Sequence, residues 1–153
     1  MKVGDVAGAL GRGLVAGAVG TAAMTVSSTI EAKLRQREGS TAPADAAGKV
    51  LGIQPRDPDG AARFGNAVHW GYGTAWGGFR GLLAGLGLPG PVGSVAHFGA
   101  VWGGELVMLP RLEVVPPVSE WGSKELAIDA WHHLVYATAT SLAFSVLERH
   151  SSA

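Results

Sequence analysis

The stretch Gly13-LVAGAVGTAAMTVSST-Ile30 decides how the chain folds. It contains no charged residue, and its only polar side chains are Thr and Ser. An amphipathic helix of a soluble protein carries polar residues every third or fourth place. A bilayer core needs about 20 apolar residues to be crossed as a helix. Glycine recurs inside the run, where a soluble helix would lose about 1 kcal/mol relative to alanine. In membranes small residues are frequent because they let helices approach closely. The run is longer than the core of a signal peptide, so a retained span is expected.

Working outward, three more runs of this kind follow. The spans are expected at about 6–32, 62–86, 91–109 and 124–148. They form one integral membrane domain over 1–153, an all-α four-helix transmembrane bundle. The first span closes on the basic cluster Lys33, Arg35, Arg37. A polar connector, 33–61, follows, and Pro43 to Leu51 within it suits a short surface helix. Leu88-Pro-Gly-Pro91 is a tight break between spans two and three. Pro110 to Lys124 is a stiff, proline-punctuated loop, and Ser123 can cap the fourth helix. Trp121 and Trp131 suit an aromatic belt at a helix end, and Trp70, Trp76 and Trp102 suit packing.

Composition agrees in part. Of the 153 residues, 16% are charged, against roughly 25% in soluble domains. Mean hydropathy is only +0.23, which keeps a soluble helical bundle as the rival fold. Net charge is zero, so no basic field points to nucleic acid. Cysteine is absent, which excludes disulfides, iron–sulfur ligation and thiol catalysis. No nucleophile elbow or phosphate-binding loop occurs, and no base lies near Ser27 or Ser28 in sequence, so an enzyme is not the first expectation. The connectors carry most of the Lys and Arg, which by the positive-inside rule leans them toward the cytoplasm; Arg12 and Arg149, close to the other span ends, pull the opposite way.

One packing device recurs. Gly13 and Gly17 are four apart, as are Gly73, Gly77, Gly81 and Gly85 in turn, and Gly99 and Gly103. Such spacing lays a flat strip on a helix for a neighbour to rest on. The expected partners are the lipid bilayer and further copies of the chain, or a larger membrane complex, joined through these strips.

Ionisable groups at membrane depth must be compensated, and they mark functional candidates. They are Glu31 at the end of the first span, His69 and Arg80 on the second, His97 and Glu105 on the third, and Asp129, His132 and His133 on the fourth. His69, Gly73, Trp76 and Arg80 share one helix face. Asp129 and His133 are spaced i,i+4, so carboxylate and imidazole can meet, whereas His132 points about 100° away. His97 and His132 each have a better-placed histidine or carboxylate nearby and read as packing. Three readings stay open. His69, Glu105, Asp129 and His133, with Glu31 as a further ligand, suit a transition-metal ion, and His69 with His133 would be a weaker haem variant. The same groups could relay protons or line an oligomeric channel or transporter, with Arg80 as counter-charge. Or Arg80 pairs with Glu105 or Asp129 and the cluster only locks the bundle, as in an accessory subunit without chemistry of its own.

The order of these residues is similar to that of a known family. A Gly-rich first helix ending in Glu31 precedes H-x-x-Y-G (His69–Gly73), R-G-L-L-A-G (Arg80–Gly85), E-L-V-M-L-P (Glu105–Pro110) and E-L-x-x-D-x-x-H-H-L-V-Y (Glu125–Tyr136). This resembles the YagU-like family of small bacterial inner-membrane proteins of unknown function, over about Gly13 to Leu147, with wording closer to uncharacterised actinobacterial membrane proteins. The resemblance implies a helical bundle in the inner membrane and supplies no activity. It also implies histidines at His69 and His133, an acid at Asp129, and histidine in place of Glu105. An exchange of Glu for His suits a metal or proton site better than apolar packing.

Overall fold

The computed structural model describes residues 3–151. Five α-helices are joined by short turns, with no strand among the described residues. They are α1 (Val3–Leu34), α2 (Ala42–Leu51), α3 (Pro58–Gly85), α4 (Gly90–Arg111) and α5 (Ser123–Ser151), with one 3-10 turn at Val118–Glu120. Each start has a local cause. Asp57 accepts a hydrogen bond from the Gly60 amide at 2.7 Å and Pro58 supplies a preset φ, so α3 begins four residues before Ala62. A proline in the first turn also starts α2, which ends on Gly52 at φ +67°. The break after α3 is made by Gly87 (φ +91°) and Gly90 (φ +59°), both left-handed.

The four long helices alternate in direction. One end of the bundle therefore gathers the end of α1, the starts of α3 and α5, the end of α4, and α2 with both long connectors. The opposite end holds the α3–α4 turn, the start of α1 and the end of α5. α1 lies along α3 and α5, α4 along α5 and α3, and α2 against α3.

The α1–α3 seam is backbone against backbone. A Cβ placed at Gly13 would come within 2.9 Å of Gly81 Cα, and one at Gly17 within 2.8 Å of the Gly73 carbonyl oxygen. Gly77 fits between Gly13 and Gly17, Gly81 lies against Ala9, and Gly85 sits at the looser end against Val6. These glycines are spent inside the chain and are not a face for a second copy. Gly99 and Gly103 differ: nothing approaches the place of their Cβ atoms within 4 Å. α4 instead meets its neighbours through Gly93, His97, Val101 and Leu109, so its GxxxG strip is not part of the intramolecular packing.

The interior is small and polar. Among the largest fully enclosed side chains, Arg80, His97, Thr21 and Thr140 are polar, and only Phe144 is apolar. Large apolar side chains lie outside: Val15 and Val19 on α1, Trp70 on α3, Val95 on α4, Leu142 on α5. Two helices, α1 and α4, are long and apolar enough to cross a membrane. α3 and α5 fall short of that measure through hydropathy rather than charge: glycine, histidine, tyrosine, tryptophan and hydroxyl side chains dilute the apolar residues in their middles, Phe64 to Phe79 and Ala130 to Leu147.

Candidate functional site

The centre of the site is His133. It projects from the third turn of α5 toward α4, and its Nε2 lies 2.5 Å from Glu105 Oε2. Its Nδ1 lies 2.9 Å from the backbone oxygen of Asp129 and 3.8 Å from Oδ1 of the same residue. A carbonyl oxygen only accepts, so Nδ1 carries a hydrogen and donates it. That fixes the tautomer and leaves Nε2 for whatever stands between it and Glu105. Asp129 is held in turn: the Trp102 indole N–H donates to Oδ2 at 2.9 Å, and Trp102 stacks on Phe98 one turn earlier with ring centres 5.5 Å apart. One donor atom from each of Glu105, Asp129 and His133 lies within 4.8 Å of the others.

Two carboxylates around one imidazole can share a proton or hold a cation. With Nδ1 protonated, the short Nε2–Oε2 contact needs one proton between the two groups. A tetrahedral metal with ligand bonds of about 2.0–2.2 Å sets its donors about 3.3 Å apart. The Glu105 side chain, a fifth exposed, can withdraw by that small amount.

Sequence reasoning placed Glu105, Asp129 and His133 together, and the geometry agrees. His69 is elsewhere. Its Nε2 bonds Thr25 Oγ1 of α1 at 2.8 Å, while the Thr25 hydroxyl donates to the Thr21 carbonyl at 2.7 Å. No haem slot joins His69 to His133, since one Nε2 is turned to Thr25 and the other to Glu105. Glu31 is also outside the cluster. It takes Arg35 at 3.1 Å and Arg37 in a still closer pair. Arg35 reaches on to Glu125 of α5 at 2.6 Å, and these two carboxylates push its already high pKa further up.

Arg80 forms no ion pair with Glu105 or Asp129. It is buried beside α5 about 18 Å further along that helix, at Ser141 and Phe144. Its guanidinium lies 4.8 Å from the Phe144 ring centre and 3.3 Å, through Nη2, from the Gly90 carbonyl oxygen. Three turns of α3 separate Arg80 from His69 and carry it to the opposite end of the bundle.

The residues read as packing do more than pack. His132 turns to α1, where Ser27 Oγ lies 2.9 Å from Nδ1 and Glu31 Oε2 3.8 Å from Nε2. Ser27 and Glu31 are i,i+4, so they share a face of α1; that spacing was the available signal. Trp102 was read as packing alone, although its place three residues before Glu105 puts both on one side of α4. His97 is fully enclosed, with Nε2 3.0 Å from the Trp76 carbonyl oxygen and its ring beside Tyr136. Tyr136 donates to the Gly73 carbonyl at 2.6 Å. A comparison of the chain with family models, curated proteins and solved structures finds no match.

Proposed function

We propose that the chain is a small multi-pass protein of a bacterial inner membrane, crossing with α1, α3, α4 and α5, and that Glu105, Asp129 and His133 bind one divalent transition-metal ion between α4 and α5. Kinship with the YagU-like family belongs to the same proposal.

The four crossings are supported by the inverted burial: small and polar groups inside, valine, leucine and tryptophan outside on every long helix. Single exposed apolar side chains are ordinary on a soluble bundle, but their presence on all four long helices around a polar interior favours a lipid-facing surface. The middles of α3 and α5 also support it, since Phe64 to Phe79 and Ala130 to Leu147 contain no Asp, Glu, Lys or Arg. Lys33, Arg35, Arg37, Lys49, Arg56, Arg63, Arg111 and Lys124 all lie at the connector end, eight of the chain's 12 basic residues. That favours a cytoplasmic connector end.

The observation that carries the metal reading is the oriented imidazole: Nδ1 tied to a backbone carbonyl, Nε2 aimed at a carboxylate, and the second carboxylate tied by Trp102. Metal-binding histidines are oriented in this way by the partner of their other nitrogen. The ion would take the place of the proton between His133 and Glu105. A second reading, a proton-handling centre, is favoured by the 2.5 Å separation of those two groups.

Elemental analysis of protein purified without chelator separates the readings. The metal reading predicts about one transition-metal ion per chain in the wild type and none in His133→Gln, with His69→Ala retaining it. A wild type free of metal, both as purified and after incubation with zinc or manganese, overturns that reading. The proton or purely structural readings would then stand.

A further inference from the structure

A groove opens between α1 and α5 on the side of the bundle away from Glu105. Its volume is about 650 Å³, within the range of roughly 300–1,000 Å³ of sites that hold a small molecule. Ile30 and Leu34 of α1 and Ile128 and Trp131 of α5 wall it. Arg35 and Lys124 stand at its mouth, and Glu31 and His132 line its side. A second, largely apolar depression of about 340 Å³, with Thr138 its one polar side chain, begins at the same Trp131 and runs down α5 past Val135 to Leu142. The two meet at Trp131, so a track from the charged mouth would follow one exposed side of α5. From Trp131 to Leu142 is about 17 Å along the helix, close to half of a hydrocarbon core of about 30 Å.

We propose that this track binds one anionic phospholipid, with the headgroup at Lys124 and Arg35 and one acyl chain along Trp131 toward Leu142. The proposal rests on the membrane reading above and is independent of the metal site. Three observations select this occupant. First, charge: residues 31–37 and 123–126 carry Lys33, Arg35, Arg37 and Lys124 against Glu31 and Glu125, a positive balance at the groove mouth. Arg35 is engaged by Glu31 and Glu125, whereas no ion pair within 4 Å involves Lys124 among the described residues. Basic pockets between membrane helices on the cytoplasmic side select anionic headgroups. Second, His132 presents an enclosed Nε2 with no hydrogen-bond partner, on the wall of the groove, while Ser27 occupies Nδ1. With the Ser27 hydroxyl donating to Nδ1, Nε2 carries a hydrogen for a polar ligand atom. Glu31, the nearby acid, is already neutralised by Arg35 and Arg37. Third, the apolar part meets the groove at Trp131, is exposed, and is of one-leaflet length: Trp131 is 57% and Leu142 64% accessible.

Native mass spectrometry of the full chain tests this, after release from nanodiscs of equal parts phosphatidylglycerol and phosphatidylcholine. One retained phosphatidylglycerol per chain is expected, with phosphatidylcholine stripped. Lys124→Glu should lower its occupancy about fivefold or more, the effect of one basic residue near an anionic headgroup. Ala127→Phe, which fills the groove from an exposed position, should abolish it while helical circular dichroism is unchanged. Equal retention of both lipids, no retained lipid, unchanged retention in both variants, or a lipid-free dimer that covers the groove each overturn the proposal. Carbonate extraction tells its failure from that of the membrane reading. A chain that stays in membranes but holds no lipid defeats the groove alone, and one that extracts as soluble protein defeats both.

Discussion

The α1–α3 seam and the α4–α5 seam are built from opposite materials. In the middle of the α1–α3 seam Gly13, Gly17, Gly77 and Gly81 bring backbone onto backbone, and side chains such as Thr21, Thr25 and His69 enter only beyond that stretch. Between α4 and α5 the contact is made by side chains with chemistry: Glu105 on His133, Trp102 on Asp129, His97 beside Tyr136. Where Gly13 and Gly17 meet Gly77 and Gly81, the close packing leaves no room for a side chain or an ion. It yields rigidity, from many small dispersion contacts over a flat face. The looser α4–α5 seam leaves space and must fill it with groups that satisfy one another. Structure and chemistry are thus allotted to different helix pairs, and α5 belongs to both through its further contact with α1.

That division can be broken from either side. The largest effect is expected for Gly77→Leu. Its side chain would meet the Gly13 and Gly17 backbones, which cannot yield as a side chain can. Loss of more than about 4 kcal/mol is expected, read as absence of folded monomer on gel filtration in detergent. Gly103→Leu is the contrast: the site is open, so the fold should be recovered at wild-type yield.

On the other seam the fold should survive and the binding should not. Glu105→Gln removes a ligand charge and is expected to weaken metal affinity at least as much as loss of an orienting partner, about 10–100-fold. Competition with a chromophoric chelator measures it. Trp102→Phe keeps a ring to stack on Phe98 but removes the indole donor to Asp129. A reduction toward the lower end of that 10–100-fold range is expected, with an unchanged melting temperature. The smallest effect belongs to Arg35→Gln. Its pairs with Glu31 and Glu125 lie at the wet end of the bundle, where solvent screens them. The melting temperature should not move measurably, and chelator competition should give the wild-type affinity.

Much of this division is legible along the chain. The uncharged runs place the long helices, Pro43 places α2, and Leu88-Pro-Gly-Pro91 places the turn before α4. The i,i+4 spacing of Asp129 and His133 also survives intact, because it is local to one helix. What failed depended on how helices rotate and slide against one another. His69 belongs to a face that meets Thr25 of α1 rather than α4, and helix periodicity alone does not say which neighbour a face meets. Arg80 was matched to acids by sign, but its depth in the bundle lies three turns from them. Ser27 and His132 are 105 residues apart, beyond any spacing argument. Adjacent histidines then diverge: the 100° step sends His132 to α1 and His133 to α4.

Cobalt titration of the purified chain, followed by visible absorption, tests the central claim most directly. The account predicts saturation at about one equivalent with d–d bands of a low-coordinate nitrogen and oxygen site, lost in His133→Gln and kept in His69→Ala. Absence of such bands in the wild type, or the same bands in His133→Gln, would contradict it.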